Sequence, residues 1–386
     1  MRIENLQQFS TYSVIGTATF LPLLVLPAMV GVLVDEAALS ESFAGWVASA
    51  NFFGFSLVAL FMAFRMHRVD LRRTATVALA IAVLADVISA HIAAASTAFL
   101  LIRFTTGLAS GAAQIAAISA IARFDDVERG YGLFAVLQFT VAGFGCYILP
   151  VYSAALGAKG MFLLFAAFDL LALALARYLP GRAIDDWTGA ERRNERSVLF
   201  AAVTILALIG YGMFEAANTA QYTYLERLGV ALEFSNEKIG TALMIASLAG
   251  IPGAFTIVVI GRRFGTIGPL AFGIAVAILG LILLISGGTF AGYLMAGICL
   301  GFSWAFCLPF IQTLMASLDP NGSAVAAGTS AATIGIAVGP GLAASVVAVG
   351  QYQRVFLLAI ALLIMSITGF FFSVRKTQPQ RAEVKS

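Results

Sequence analysis

The sequence predicts an all-α membrane protein built as two six-helix bundles related by an internal pseudo-twofold repeat. Three observations carry that prediction. Sixty per cent of the 386 residues are hydrophobic and only 11% are charged, about half the charge content of a soluble domain. The chain holds twelve apolar runs, each near the length of about 20 residues that a helix needs to cross a hydrocarbon core of roughly 30 Å. One long polar connection, PGRAIDDWTGAERRNERS from Pro180 to Ser197, divides these runs six and six.

The runs fall at about 12–34, 43–64, 74–94, 98–122, 132–153, 160–179, 197–224, 238–258, 266–286, 290–315, 323–348 and 354–373. None shows the ten-residue alternation of a spanning β-strand. The first is too long for a signal-peptide core and has no small-residue cleavage site after it, so it reads as a retained first span. The expected organisation is an N-terminal bundle over 1–180, a cytoplasmic linker over 181–196, and a C-terminal bundle with a short cytoplasmic tail over 197–386.

Placing the first residues in the cytoplasm puts 18 of the 23 Lys and Arg on that side, four outside (Lys159, Arg227, Lys238, Arg354) and one, Arg103, in the membrane. That asymmetry predicts cytoplasmic termini. The net charge of +3 is spread over short loops with no aromatic stacking platform, which excludes a nucleic-acid surface. Cys146, Cys299 and Cys307 lie inside spans without metal or disulfide spacing and read as packing residues. His67 and His91 are the only histidines. No catalytic dyad or metal set follows, so an enzyme is not expected, nor a cofactor.

An offset of 194 residues relates the halves: Arg68 falls on Arg262, Gly107 on Gly301, Asp125 on Asp319 and Gly145 on Gly339. Two such halves in one orientation are an architecture in which a solute site forms between them near the bilayer midplane.

Ionisable groups within a span cost about 3 kcal/mol or more and mark function or pairing. Here they are Asp86, Arg103, Asp169 and Glu215. Arg103 begins a stripe on the fourth span that continues through Thr106, Gly107, Ser110 and Gln114. Asp86 lies at a similar depth on the antiparallel third span. Arg103 therefore has two readings, an ion pair with Asp86 or a role in substrate or proton coupling, and its planar fork also suits a carboxylate. Asp169 sits mid-span in the sixth run, where packing and function are equally open. The seventh span carries a second stripe, Tyr211, Glu215, Asn218 and Tyr222. A carboxyl poised between desolvation and a nearby guanidinium can exchange a proton as its surroundings change. On the tenth span, Trp304 follows Gly301 by one turn, near Phe302 and Phe306. Asn51 and Gln138 are isolated polar groups suited to bonding across helices.

Over nearly its whole length the chain resembles the major facilitator superfamily. FRMHRVDLRR (Phe64 to Arg73) and GRRFG (Gly261 to Gly265) are similar to the basic motif of the second–third loop and its echo, although Phe64 and Arg68 stand where that motif has glycine and aspartate. Arg103, Gly107 and Gly111 match an R-x-x-x-G-x-x-x-G pattern of the fourth span in proton-coupled members. GIAVGPGLAA (Gly335 to Ala344) matches a proline motif that drug antiporters carry in the fifth span, here in the eleventh. LDPNGSAVAAG (Leu318 to Gly328) looks like a tenth–eleventh loop.

The resemblance implies alternating access, with the first, fourth, seventh and tenth helices lining a central cavity. It places Arg103, Glu215, Asp86, Gln114, Asn218, Tyr211, Tyr222 and Trp304 in substrate binding or coupling. It assigns Arg68, Asp70, Arg72, Arg73, Gly107, Gly111, Gly339 and Pro340 to gating. The expected protein is a proton-coupled secondary transporter of a small organic acid, aromatic or hydrophobic compound, acting as a monomer in the inner membrane. A drug or metabolite antiporter driving efflux is the alternative, and a non-transporting solute sensor is a more distant one. The partners expected are the solute, protons and the lipid bilayer.

Overall fold

The computed structural model describes residues 3–65, 69–124, 127–181, 202–260, 265–318 and 323–383, and these are almost entirely helical. The first run forms α1 (Ile3–Thr19), α2 (Leu21–Leu24) and α3 (Leu26–Asp35), and the rest of the N-terminal half is α4 (Glu41–Arg65), α5 (Leu71–Ile92), α6 (Thr97–Ile121) and α7 (Val127–Ala176). The C-terminal half is α8 (Ala202–Thr223), α9 (Leu225–Ala231), α10 (Asn236–Leu248), α11 (Gly250–Ile260), α12 (Ile267–Ser286), α13 (Phe290–Leu318), α14 (Ser323–Val346) and α15 (Gln353–Glu383). Most of the predicted linker, and Arg68 of the gating set, lie outside the described residues.

Counted as continuous elements among the described residues, ten helices are long and apolar enough to cross a membrane, which differs from the twelve separate spans expected. Two local causes account for the difference. Pro22 and Pro27 fall at the starts of α2 and α3, where a residue without an N–H breaks the ladder, so the first run is three short pieces. The fifth and sixth runs join as one 50-residue element that turns at Gly157, with φ 59° and ψ 178°. Only glycine adopts that backbone freely.

Helix faces follow hydrophobic periodicity. On α5 the exposed Val77, Ile81, Leu84 and Ile88 form a lipid-facing stripe, while Ala75, Ala78, Leu79, Ala82 and Ala85 are buried. Small residues let helices meet closely. A Cβ at Gly107 would overlap the Asn51 carbonyl oxygen of α4, and a Cβ at Gly301 would overlap the Ala246 carbonyl oxygen of α10. The repeated glycine thus does the same packing work in each half.

The halves meet along α4 and α14 and along α7 and α10. On the first seam Ser42, Ser49 and Ser56, spaced by seven, donate to the main-chain oxygens of Ala344 (2.8 Å), Ala337 (2.6 Å) and Thr333 (2.6 Å). Toward the end that carries loops 36–40, 232–235 and 347–352, one apolar core runs through both halves. Toward the opposite end, where the chain begins, Phe9, Ile15, Leu71, Ile121 and Leu179 belong to a separate core of the N-terminal half.

Candidate functional site

Two polar centres emerge, and they are not in the same place. The first lies inside the N-terminal bundle. Ser96 caps α6 by accepting the Phe99 N–H at 3.2 Å, and the stripe from Arg103 to Gln114 on that helix is buried. This stripe faces neighbouring helices: Gly107 and Gly111 meet the α4 backbone at Asn51 and Phe55, and Gln114 accepts the Thr19 hydroxyl at 2.8 Å. Arg103, 1% exposed, donates Nη1 to Asp86 Oδ1 at 2.5 Å and to Ser89 Oγ at 3.3 Å, and Nη2 to Asn51 Oδ1 at 3.4 Å. Its guanidinium also lies 5.0 Å from the centre of the Phe162 ring, within reach of a cation–π contact. Asp169, on the second arm of α7, is buried and close enough to interact with both charges.

The second centre is a cavity of about 400 Å³ between the halves. Its wall from α8 is Glu215, Asn218, Thr219, Gln221 and Tyr222. Asn218, Thr219 and Thr223 turn back to carbonyls four residues earlier at 2.6–2.9 Å. Such bonds loosen a helix, and α8 ends there, at Thr223. Trp304 of α13 donates Nε1–H to Glu215 Oε2 at 3.1 Å and meets Phe139 edge-on at 5.9 Å. Phe20 and Tyr131 add further aromatic surface. Gln138 Nε2 and Gln221 Oε1 are buried polar atoms of the wall with no hydrogen-bond partner in the protein.

The cavity is closed on one side and open on the other. Leu24, Tyr222 and Leu225 roof it, and the Tyr222 hydroxyl donates to the Leu24 carbonyl across the halves at 3.0 Å. Beyond that roof, Arg227 grips Asp35 of the other half with two bonds, 2.7 and 2.6 Å, and holds Glu226 beside it at 2.5 Å. Tyr224 donates to the Glu41 carbonyl at 2.9 Å and Tyr352 to the Glu41 carboxylate. At the other side the cavity reaches the exposed Gly132 and Gln312.

Among the residues singled out from sequence, Glu215, Asn218, Tyr222 and Trp304 come together on the cavity wall, while Arg103, Asp86 and Gln114 pack within the N-terminal bundle. Tyr211 is buried on α8 beneath Gly328 and does not line the cavity. Asp70 caps α5 by accepting the Arg73 N–H at 2.8 Å, and Arg72 donates to the Leu179 carbonyl at 2.8 Å, so this stretch ties α5 to the end of α7. Arg73 is exposed. Gly339 meets Thr219 and Ala216 of α8, and the Pro340 carbonyl lies against Gly45 of α4. Gln221, Ser247 and Gln312 were not singled out from the sequence, and Gln138 was read as an isolated polar group suited to bonding across helices. Lone polar residues in apolar runs leave no periodic signal.

The sequence profile of the Major Facilitator Superfamily matches residues 9–328. A Bacillus subtilis (strain 168) protein described as an uncharacterized MFS-type transporter, YceJ, is 25% identical over 351 residues, covering 87% of each chain. Among solved structures, a mutant of the nucleoside transporter NupG superposes with a TM-score of 0.81 at 12% identity, over 95% of this chain and 99% of that one. A bacterial homolog of the human lysosomal transporter Spinster, in an inward-facing and unoccupied conformation, gives 0.72 at 13% identity, over 97% and 98%. Identities this low establish the shared fold alone. With the family profile spanning most of its length and that fold around a cavity between two halves, the chain belongs to the major facilitator superfamily and is a multi-pass membrane transporter, not an enzyme.

Proposed function

We propose that the protein is a proton-coupled secondary transporter of a small aromatic or apolar solute, with Glu215 as the coupling carboxyl. The observation that carries this reading is a buried carboxylate on the wall of a cavity that is roofed at one end and open at the other. Alternating access needs a site that communicates with one side at a time. Coupling needs a titratable group within that site.

The distribution of Lys and Arg supports an open end that faces the cytoplasm of an inner-membrane protein. On that reading the open state is inward-facing, and Asp35, Arg227 and Glu41 belong to the outer closure. Between an organic acid and an aromatic or apolar solute, the cavity favours the latter. Its described lining holds no Lys, Arg or His, and Arg103 is engaged by Asp86. The Asp86–Arg103 pair, which ties α6 to α5 and, through Asn51, to α4, holds the N-terminal bundle together. The chain is taken to work as a monomer, since the cavity is complete within one copy.

Reconstitution into liposomes tests the reading. A pH gradient should drive flux of an aromatic solute, an uncoupler should abolish it, and Glu215→Gln should lower gradient-driven flux at least tenfold. Uncoupler-insensitive flux, or full coupling in Glu215→Gln, would sink it. The direction of solute movement relative to the imposed gradient separates uptake from efflux.

A further inference from the structure

From a groove on the lipid-facing side of the N-terminal bundle we infer a seat for one anionic phospholipid, its acyl chain laid between α5 and α6 and its phosphate on Arg73. The inference is independent of the solute and of the cavity between the halves.

The groove has a volume of about 510 Å³. Its floor is Ala78 of α5 with Ala109 and Ala112 of α6, all buried, and Val77, Ile81 and Leu108 form its rims. Alanine on both helices keeps the space open, because no floor side chain reaches across it. Thr105 marks the deep end, where its hydroxyl is engaged by the Leu101 carbonyl at 2.9 Å. An open apolar cleft in a bilayer fills with the tails around it, which are as apolar as leucine. The length fits one leaflet. From Arg73 to Ile81 is about 12 Å along the helix, close to half of a hydrocarbon core of roughly 30 Å. The groove stops short of the Asp86–Arg103 pair, which lies just beyond Ile81 and Thr105. Its Arg73 end is the end where the chain begins, since Leu71 shares a core with Phe9 and Leu179.

The charge at the mouth selects the headgroup. Arg73 lines the groove, is exposed, and makes no ion pair among the described residues. Its neighbour Arg72 turns the other way, donating Nε–H to the Leu179 carbonyl at 2.8 Å. Asp70 accepts the Arg73 main-chain N–H at 2.8 Å, and its other oxygen lies toward Gly181, so the guanidinium stays uncompensated. Thr74 adds a hydroxyl beside it on the groove wall. Both stand in the first turn of α5, where the helix dipole favours an anion. A base at the polar end of a groove between membrane helices suits a phosphate headgroup, and a guanidinium can hold two phosphate oxygens at once. A zwitterionic headgroup brings its own cation to the same place and gains less.

Dioleoyl phosphatidylglycerol and dioleoyl phosphatidylcholine, which share their chains and differ in net charge, test this on the purified full-length protein in neutral detergent. Melting shifts give affinity by mass action. The phosphatidylglycerol should bind more tightly, and sn-glycerol 3-phosphate, the headgroup chemistry without chains, should not stabilise at equal concentration. Arg73→Gln should lower phosphatidylglycerol affinity about fivefold and remove the preference, while Arg73→Lys keeps it. Thr105→Trp, which fills the deep end, should weaken both lipids alike and leave the preference. Arg73 and Thr105 are both exposed, and the Asp70 cap uses the main-chain N–H, so the variants keep the fold. A phosphatidylglycerol with a photoreactive group in mid-chain should label α5 near Ile81 and α6 near Thr105. Equal stabilisation by the two lipids, an unchanged preference in Arg73→Gln, stabilisation by sn-glycerol 3-phosphate, or label spread evenly over the helices overturns the inference. A second copy of the chain seated in the groove would show as a dimer that excludes the label, and overturns it as well.

Discussion

The Asp86–Arg103 pair and Glu215 are both buried ionisable centres in the membrane domain, yet they are built on opposite terms. Arg103 has a carboxylate, a hydroxyl, an amide and a ring around it, all from its own half. Glu215 has one indole N–H and a cavity. A charge whose partners are all supplied by the fold is committed to holding the fold. A charge left with an incomplete shell is available to something that comes and goes.

That contrast can be broken or sharpened by substitution, and the largest effect should come from the N-terminal half. Asp86→Ala leaves Arg103 buried without its carboxylate, a change that typically costs about 3–5 kcal/mol. Thermal unfolding in detergent should show a steep loss. If Asp86→Ala melts like the wild type, the pair is not structural and the comparison fails.

Replacing both partners by apolar residues, Asp86→Leu with Arg103→Met, should recover most of that loss, because a buried pair exchanged for well-packed hydrophobics of similar volume is often neutral. Recovered stability without recovered flux would add coupling to the role of the pair. Trp304→Phe removes the donor to Glu215 but keeps an aromatic ring, and should cost about 1 kcal/mol. Its sharper readout is gradient-driven flux of the aromatic solute, which should persist through the ring that remains. Glu215→Gln should change stability least, by less than about 1 kcal/mol, since the amide oxygen still accepts from Trp304 and no ionic partner is orphaned. Differential scanning of all four variants under one condition ranks them directly.

Much of this was legible in the sequence, with clear limits. Hydropathy and the 194-residue offset pointed to two helical halves, and Gly107 and Gly301 indeed make equivalent contacts with Asn51 and Ala246. The α6 stripe was also legible, but a polar stripe reports that a helix has a special face and not which neighbour it meets. Arg103 could as well have faced the cavity as Asp86, and the phase that decides it depends on the packing of α4 and α5. Glu215 and Trp304 stood out separately, 89 residues apart in sequence, with no local signal of their hydrogen bond. Gln138 and Gln221 were invisible as a pair because neither belongs to a repeat. The break in the first run was written in Pro22 and Pro27. The joined α7 turned on one residue, Gly157, in a connection too short to separate its arms.

The serine seam between α4 and α14 has a consequence for how such a chain can change over generations. Ser42, Ser49 and Ser56 donate to main-chain oxygens, and every residue supplies one of those whatever its side chain. Substitution at Thr333, Ala337 or Ala344 leaves the acceptor in place, whereas losing a serine removes the donor. Drift along this seam is therefore expected to be one-sided: the acceptor positions of α14 tolerate change within the limits of volume, and the hydroxyls of α4, seven residues apart, do not.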